Sequence, residues 1–275
     1  NLNGFFPPEL AVNSRIIDVL DRLGYEWFLC DETAVEKGYG VYNFRPIVDD
    51  KFEDENKKIL GVVRNRNLSN LISFKRNLDT KDLYDEMDRC QYCVVALDAE
   101  FFGHHFSDGF VVLDSIVEYV FKTGGEFTTV SEYVNAMRDN YFNVFDIKES
   151  SWGSLYAEDS FQIWNNKENK AHAIQWDIVY ELLADIRKEL NIENKYYDPS
   201  EYETLAIWLP SDMQKVKSED IKAWFNLHKI IFSDWFWWAS NEKFPDNKVA
   251  YDPEFIRRGL VAMGDVVKEY GSAPL

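Results

Sequence analysis

The feature that most constrains this chain is an alternation that runs from residue 4 to about residue 120. Short apolar runs give way repeatedly to stretches with helical spacing. A buried strand reads as a continuous apolar run, whereas a helix on a core repeats its apolar residues every three or four positions. Gly4–Glu9 (GFFPPE) ends an extended segment, because its two prolines oppose helix. Leu10–Leu23 carries a helical stripe at Leu10, Ile16, Ile17, Leu20 and Leu23, closed by Gly24. Tyr25–Leu29 is the next predicted strand, and Gly38–Phe44 an irregular loop or short strand. Ile59–Val63 is another strand, Asp79–Met87 a short helix and Cys93–Leu97 a further strand. Phe110–Lys122 is a helix closed by Gly124-Gly125. Strands alternating with helices predict a parallel α/β arrangement.

In such folds, functional groups collect where the strands end. Here those ends carry Glu9, Asp31, Arg64 and Asp98. From about residue 150 the pattern changes. Ala173–Leu190, Ser200–Met213, Ser218–Phe232 and Asp252–Glu269 read as helices, punctuated by Pro199, Pro210, Pro245 and Pro253. The expected organisation is a strand–helix part over residues 1–149 and a helical subdomain over 150–275.

Composition narrows the chemistry. The net charge is −18, which argues against a phosphate-binding surface and so against nucleic acid. No apolar run approaches the roughly 20 residues of a membrane span. The 275 residues suffice for one large domain or two small ones. Aromatic residues reach 16%, nine of them Trp, which suits rings lining a sugar site or a bulky core. Three cysteines argue against a disulfide framework, and Cys90 and Cys93 form a lone C-x-x-C without the second ligand pair of a zinc site. A reduced thiol pair points to the cytoplasm. Asn1 is not an initiator Met, so the chain reads as processed, trimmed or a fragment, and a cleaved secretion signal upstream stays open.

Two carboxylates on separate strand ends can flank one glycosidic bond, one attacking the anomeric carbon and the other transferring the proton. Glu9 and Asp98 are the candidates, with Glu100 a neighbouring charge able to raise the pKa of the acid. The plainer reading makes Glu9 polar after a Pro-Pro turn and Asp98 a helix cap. Arg64 can hold a sugar hydroxyl or orient a carboxylate, or lie on the surface. At most one of the adjacent His104 and His105 faces a site if the backbone there is extended. Trp152, in Ser151-Trp152-Gly153, and Asp234 and Trp237, in SDWFWWAS, offer indole faces and a hydroxyl acceptor. Most of the rings from Trp235 to Trp238 are equally read as core.

Five motifs occur in an order that resembles glycoside hydrolase family 57. They are GFFPPEL (4–10), VVRNRNLSNLISF (62–74), LDAEFFGHH (97–105), SSWGS (150–154) and SDWFWWAS (233–240). The resemblance implies the later part of a (β/α)7 barrel followed by a helical C-terminal subdomain that completes the cleft. It implies retaining enzymes acting mostly on α-glucans or oligosaccharides, as hydrolases or transglycosylases, with no cofactor and no metal. Glu9 falls on the family's nucleophile and Asp98 on its general acid/base. Arg64, Glu100, His104, Trp152, Asp234 and Trp237 become substrate-binding candidates.

Three departures stand beside that likeness. The family's H-x-H-Q-P-like first-strand motif is missing, so an upstream segment of the same polypeptide is expected to supply the first strands. Asn65 and Asn70 stand where acids are expected, and Phe5-Phe6 where a Trp often precedes P-P-E. These departures leave a second reading open, a catalytically silent carbohydrate-binding or regulatory module of the same fold. A metal-dependent polysaccharide deacetylase is a third, which adjacent histidines fit poorly.

Overall fold

The structure is a computed structural model that describes residues 3–35, 40–44, 59–74, 80–89, 92–104, 106–137, 142–144, 147–153, 161–189, 225–243 and 249–270. The chain divides into two compact units, Asn1–Ser154 and Leu155–Leu275. The predicted Ser200–Met213 helix, residues 218–224 of the predicted Ser218–Phe232 helix, and His105 and Cys90 lie outside the described residues. No helix among the described residues is long and apolar enough to cross a membrane.

The first unit is mixed α/β. Its strands are β1 (Gly4–Phe5), β2 (Trp27–Cys30), β3 (Gly40–Phe44), β4 (Ile59–Val63) and β5 (Phe142–Val144), in the order β1-β2-β4-β3-β5. β1, β2 and β4 run parallel, as the alternation predicts. β3 runs antiparallel to β4, which corrects the expectation of a wholly parallel sheet. The all-apolar β4, IleLeuGlyValVal, shows why the strands sit centrally: every residue is buried. Side chains alternate between faces. Phe28, Cys30, Ile59 and Val63 join a core with Ile17 and Leu20 of α1 (Ser14–Arg22). Leu29, Leu60 and Val62 join another with Leu10, Tyr133 and Val134, the last two from a further helix, Val130–Ala136.

α1 begins four residues later than the apolar stripe suggests. Asn13 caps it, its side chain accepting from the Ile16 N–H at 3.0 Å, so Leu10 is freed to enter the other core. Gly24 closes the helix at φ +80°, a conformation that favours glycine. Gly4 has a different reason. A Cβ there would lie 2.0 Å from the Trp27 ring, so only glycine lets that indole lie across β1.

The next helices are α2 (Arg66–Phe74), α3 (Thr80–Asp88) and α4 (Gly109–Lys122). Between α3 and α4 the predicted Cys93–Leu97 strand is corrected. The segment has no regular secondary structure and pairs with no strand among the described residues. Its backbone groups are satisfied otherwise: Val94 C=O accepts from the Asn65 N–H at 2.7 Å, and Ala96 N–H donates to Ser69 Oγ at 3.2 Å. Of the run only Ala96 is buried, and the Asn65 backbone with the Ser69 side chain supplies what a neighbouring strand would have given.

The second unit contains the helices Lys170–Glu189, Ser233–Trp237 and Pro253–Tyr270, with residues 225–230 also helical. It is not purely helical, since β6 (Ala239–Lys243) and β7 (Val249–Tyr251) form an antiparallel pair. Val179, Leu182, Ile186, Ile230, Phe236, Met263 and Val266 make its core. A neutral polar ladder holds the aromatic segment onto the first helix. Asn169 Nδ2, His172 Nε2 and Gln175 Nε2 donate to the carbonyls of Ala239, Phe236 and Trp235 at 2.7, 2.8 and 2.9 Å. His172 Nδ1 accepts from the Asn166 N–H at 3.0 Å, which leaves the ring proton on Nε2.

Candidate active site

Glu9 sits in a tight turn directly after β1. Pro7 and Pro8 bring the chain to it with fixed φ, and the turn closes by Leu10 N–H donating to Pro7 C=O at 2.9 Å. Glu9 (φ +58°) and Leu10 (φ +47°) are both left-handed without being glycine. Such positions cost about 1–3 kcal/mol each and persist only where the surroundings enforce them. Leu10, completely buried, is the enforcing anchor, its burial worth about 1.5–3 kcal/mol. The Glu9 backbone carbonyl accepts from the Trp152 N–H at 3.0 Å, and the Trp152 indole N–H donates to the Glu9 carboxylate.

Asp31 follows β2 and is wholly buried. It is clamped by two buried guanidiniums: Arg64 Nε donates to Oδ2 at 2.5 Å, and Arg66 Nη1 donates to Oδ1. Its Oδ1 also accepts from the Thr33 N–H and hydroxyl, at 3.1 and 3.0 Å. Arg64 therefore leaves the surface reading behind and orients a carboxylate, though the partner is Asp31. The same guanidinium reaches Ala96 C=O at 3.0 Å and lies 5.2 Å from the Trp152 ring centroid. Arg66 Nη2 reaches Trp152 C=O at 2.8 Å. Burial pushes the pKa of Arg64 down, against the opposing pull of Asp31. Glu32, half-buried beside this cluster, has its pKa raised by burial first and by the Asp31 charge second, with Arg66 and Arg64 pulling the other way. Burial, then Asp31, also raises the Cys30 thiol, so this cysteine is an inert core residue.

Asp98 lies exposed at the end of this segment, before a single turn Ala99–Phe101, and its side chain makes no capping bond to that turn. The cap reading is thereby corrected. Three anchors bring Asp98 to its position: Ala96 through Arg64 and Ser69, Val94 through Asn65, and Phe101 buried among Leu68, Ile72 and Leu83. Glu100 and His104 are exposed, the His104 N–H donating to Glu100 C=O at 3.1 Å. His104 stands in a turn made by Gly103 at φ +99°, so the extended alternation assumed for the two histidines does not apply. Asn65 is buried and caps α2, its Oδ1 accepting from the Leu68 N–H at 2.8 Å. Its Nδ2 donates to the buried Glu86 at 3.3 Å, a bond no carboxylate could give.

The arrangement joins the ends of β1, β2 and β4 and the segment before Asp98 into one connected network around a buried ion cluster. Residues 3–148 match Glycosyl hydrolase family 57. The chain belongs to this family. The solved structure of a 4-α-glucanotransferase from Thermococcus litoralis is similar at 13% identity and a TM-score of 0.47, the match covering 96% of this chain and 40% of that one. The α-amylase AmyC from Thermotoga maritima is similar at 12% identity and a TM-score of 0.47, covering 97% of this chain and 64% of that one. The chain thus spans less than two thirds of either relative. No curated protein matches it.

In this family 57 member, Glu9, Arg64 and Trp152 come together, and Arg64 links them to the segment that ends at Asp98. Asp234 and Trp237 belong to the second unit, where both are partly buried and Trp237 packs 5.6 Å from Trp164. Phe236 is the ring of that run that is fully core. Sequence reasoning missed Arg66 altogether and left Asp31 as a strand-end residue without a role. The available signal was R-N-R after one apolar strand and an Asp after another, the pattern of a buried clamp.

Proposed function

We propose that the chain is a retaining glycoside hydrolase or transglycosylase acting on α-glucans, in which Glu9 is the nucleophile and Asp98 the general acid/base. The observation that carries this reading is Glu9 itself: a carboxylate held on a left-handed turn at a strand end, in a chain that belongs to family 57. A nucleophile must be presented in one orientation, and strained backbone locked by packing is a known means of doing so. Glu9 attacks the anomeric carbon while Asp98 protonates the departing oxygen. Asp98 then takes a proton from water, or from a sugar hydroxyl, which breaks the glycosyl–Glu9 ester with a second inversion. Asp98 is exposed just before the Ala99–Phe101 turn, which suits a group that must meet both leaving group and acceptor.

Under this reading, Glu100, His104, Trp152, Asp234 and Trp237 bind substrate, and Arg64 acts from behind. The fold is then the later part of a (β/α)7 barrel followed by a helical subdomain. The test is product analysis from maltoheptaose with the chain and with the complete gene product, each beside its Glu9→Gln variant. Shorter sugars released with retained anomeric configuration, and a drop on the order of 10³-fold or more in the variant, are expected. Longer sugars in addition identify a transferase. Sugar binding without turnover by the complete product replaces this reading with the silent module.

A further inference from the structure

We propose that Asp31, Arg66, Arg64 and Trp152 form a positioning relay that orients the Glu9 carboxylate and keeps it ionised, acting through the Trp152 indole N–H. The inference deepens the reading of Glu9 as nucleophile and rests on it for its purpose, though its geometry is independent.

Each link is a directed contact. Asp31 fixes both guanidiniums at once, with one carboxylate oxygen each. Arg66, so held, donates to the Trp152 backbone carbonyl at 2.8 Å. The Trp152 backbone N–H and indole N–H then grip the two ends of Glu9, its carbonyl and its carboxylate. Arg64 lies over the face of the same indole at 5.2 Å. A cation over the ring draws electron density from it and makes the indole N–H a stronger donor to an anion.

The charges explain why so much is buried here. Arg64 and Arg66 bring two positive charges, and Asp31 cancels one. Glu32, whose carboxylate accepts from the Arg66 backbone N–H, is the half-exposed group nearest to balancing the other. The guanidiniums, not the carboxylates, make this cluster's contacts with Trp152, so its positive side faces the carboxylate that must be anionic to attack. Arg66 Nε is buried without a hydrogen-bond partner, so the cluster is not built for stability alone. A structural clamp would gain more from apolar residues of the same size.

The decisive measurement follows the Glu9 carboxyl by carbon-13 NMR across pH, in protein labelled at the glutamate side-chain carboxyls. Its resonance is the one absent from the Glu9→Gln protein. Trp152→Phe and Arg66→Gln remove a donor and a positive charge, and each is expected to move the Glu9 titration midpoint up by about half a pH unit or more. Asp31→Asn and Glu32→Gln remove negative charge and are expected to move it down. If Asp31→Asn does not fold, Glu32→Gln supplies the opposite arm. Opposite movements are a signature that a purely structural role cannot give. Midpoints unmoved in all folded variants overturn the relay. A static midpoint with turnover abolished by Glu9→Gln sinks the relay and spares the nucleophile. Moving midpoints with turnover untouched by Glu9→Gln do the reverse.

Discussion

Among the described residues, two buried polar networks, one in each unit, are built on different principles. The first unit gathers charges: Asp31, Arg64 and Arg66, at the ends of neighbouring strands and next to a strained turn. The second unit uses neutral groups: Asn169, His172 and Gln175, each donating to a backbone carbonyl of the aromatic segment. Neutral amide and imidazole groups satisfy a chain that would otherwise bury bare carbonyls, and that is a sufficient reason for them. Buried charges carry a desolvation cost that packing alone does not justify. Under the proposed function, the contrast separates a structural network from one that serves chemistry.

Three changes sharpen or break that contrast. The largest effect is expected from Asp31→Ala, which strands two buried guanidiniums. A loss of about 3–5 kcal/mol in chemical denaturation is expected. A loss smaller than that of the neutral ladder would show the ions to be better solvated than their burial implies. Next comes His172→Ala, which removes a fully buried ring and orphans the Asn166 N–H and the Phe236 carbonyl. About 2–4 kcal/mol is expected, with any turnover of the folded protein unchanged. Turnover lost without loss of fold would erase the distinction between the networks.

The smallest effect depends on pH. Burial and Asp31 hold the Glu32 carboxyl above its ordinary value of 4.5. The folded state therefore binds that proton more tightly than the unfolded chain does. The charged form costs stability above the raised pKa, and the cost vanishes below the unfolded value. Glu32→Gln is expected to raise the melting temperature at about pH 7 and to leave it unchanged at about pH 3.5. A gain of equal size at both values would assign the effect to packing.

Much of this was legible in the residues. β4 was readable to the residue because five consecutive apolar positions between polar stretches admit little else. Glu9 and Asp98 stood out because carboxylates seldom follow apolar runs without cause. The remainder hid where local pattern and tertiary pairing part company. Cys93–Leu97 has the composition of a strand, but its hydrogen bonds go to Arg64, Asn65 and Ser69, which no local pattern announces. The reversed direction of β3 is likewise invisible to alternation. Asn65 looked like a lost charge, and only the position of Glu86 shows that an amide suits the site. Trp152 was read for its ring, whereas its N–H makes the contact with Glu9.

The pairing of Val12 with Ser150 has a consequence for the order of events during folding. Their backbone groups exchange hydrogen bonds at 2.9 and 3.1 Å, and Trp152 closes over Glu9 beside them. Contacts this distant in sequence form late, because a long loop must be closed before they return any energy. On the ribosome, Glu9 emerges 143 residues before Trp152 and acquires that partner only once Trp152 has followed. The nascent chain therefore carries an incomplete centre while that stretch is made, and the centre is assembled in a closing step near the end of the first unit.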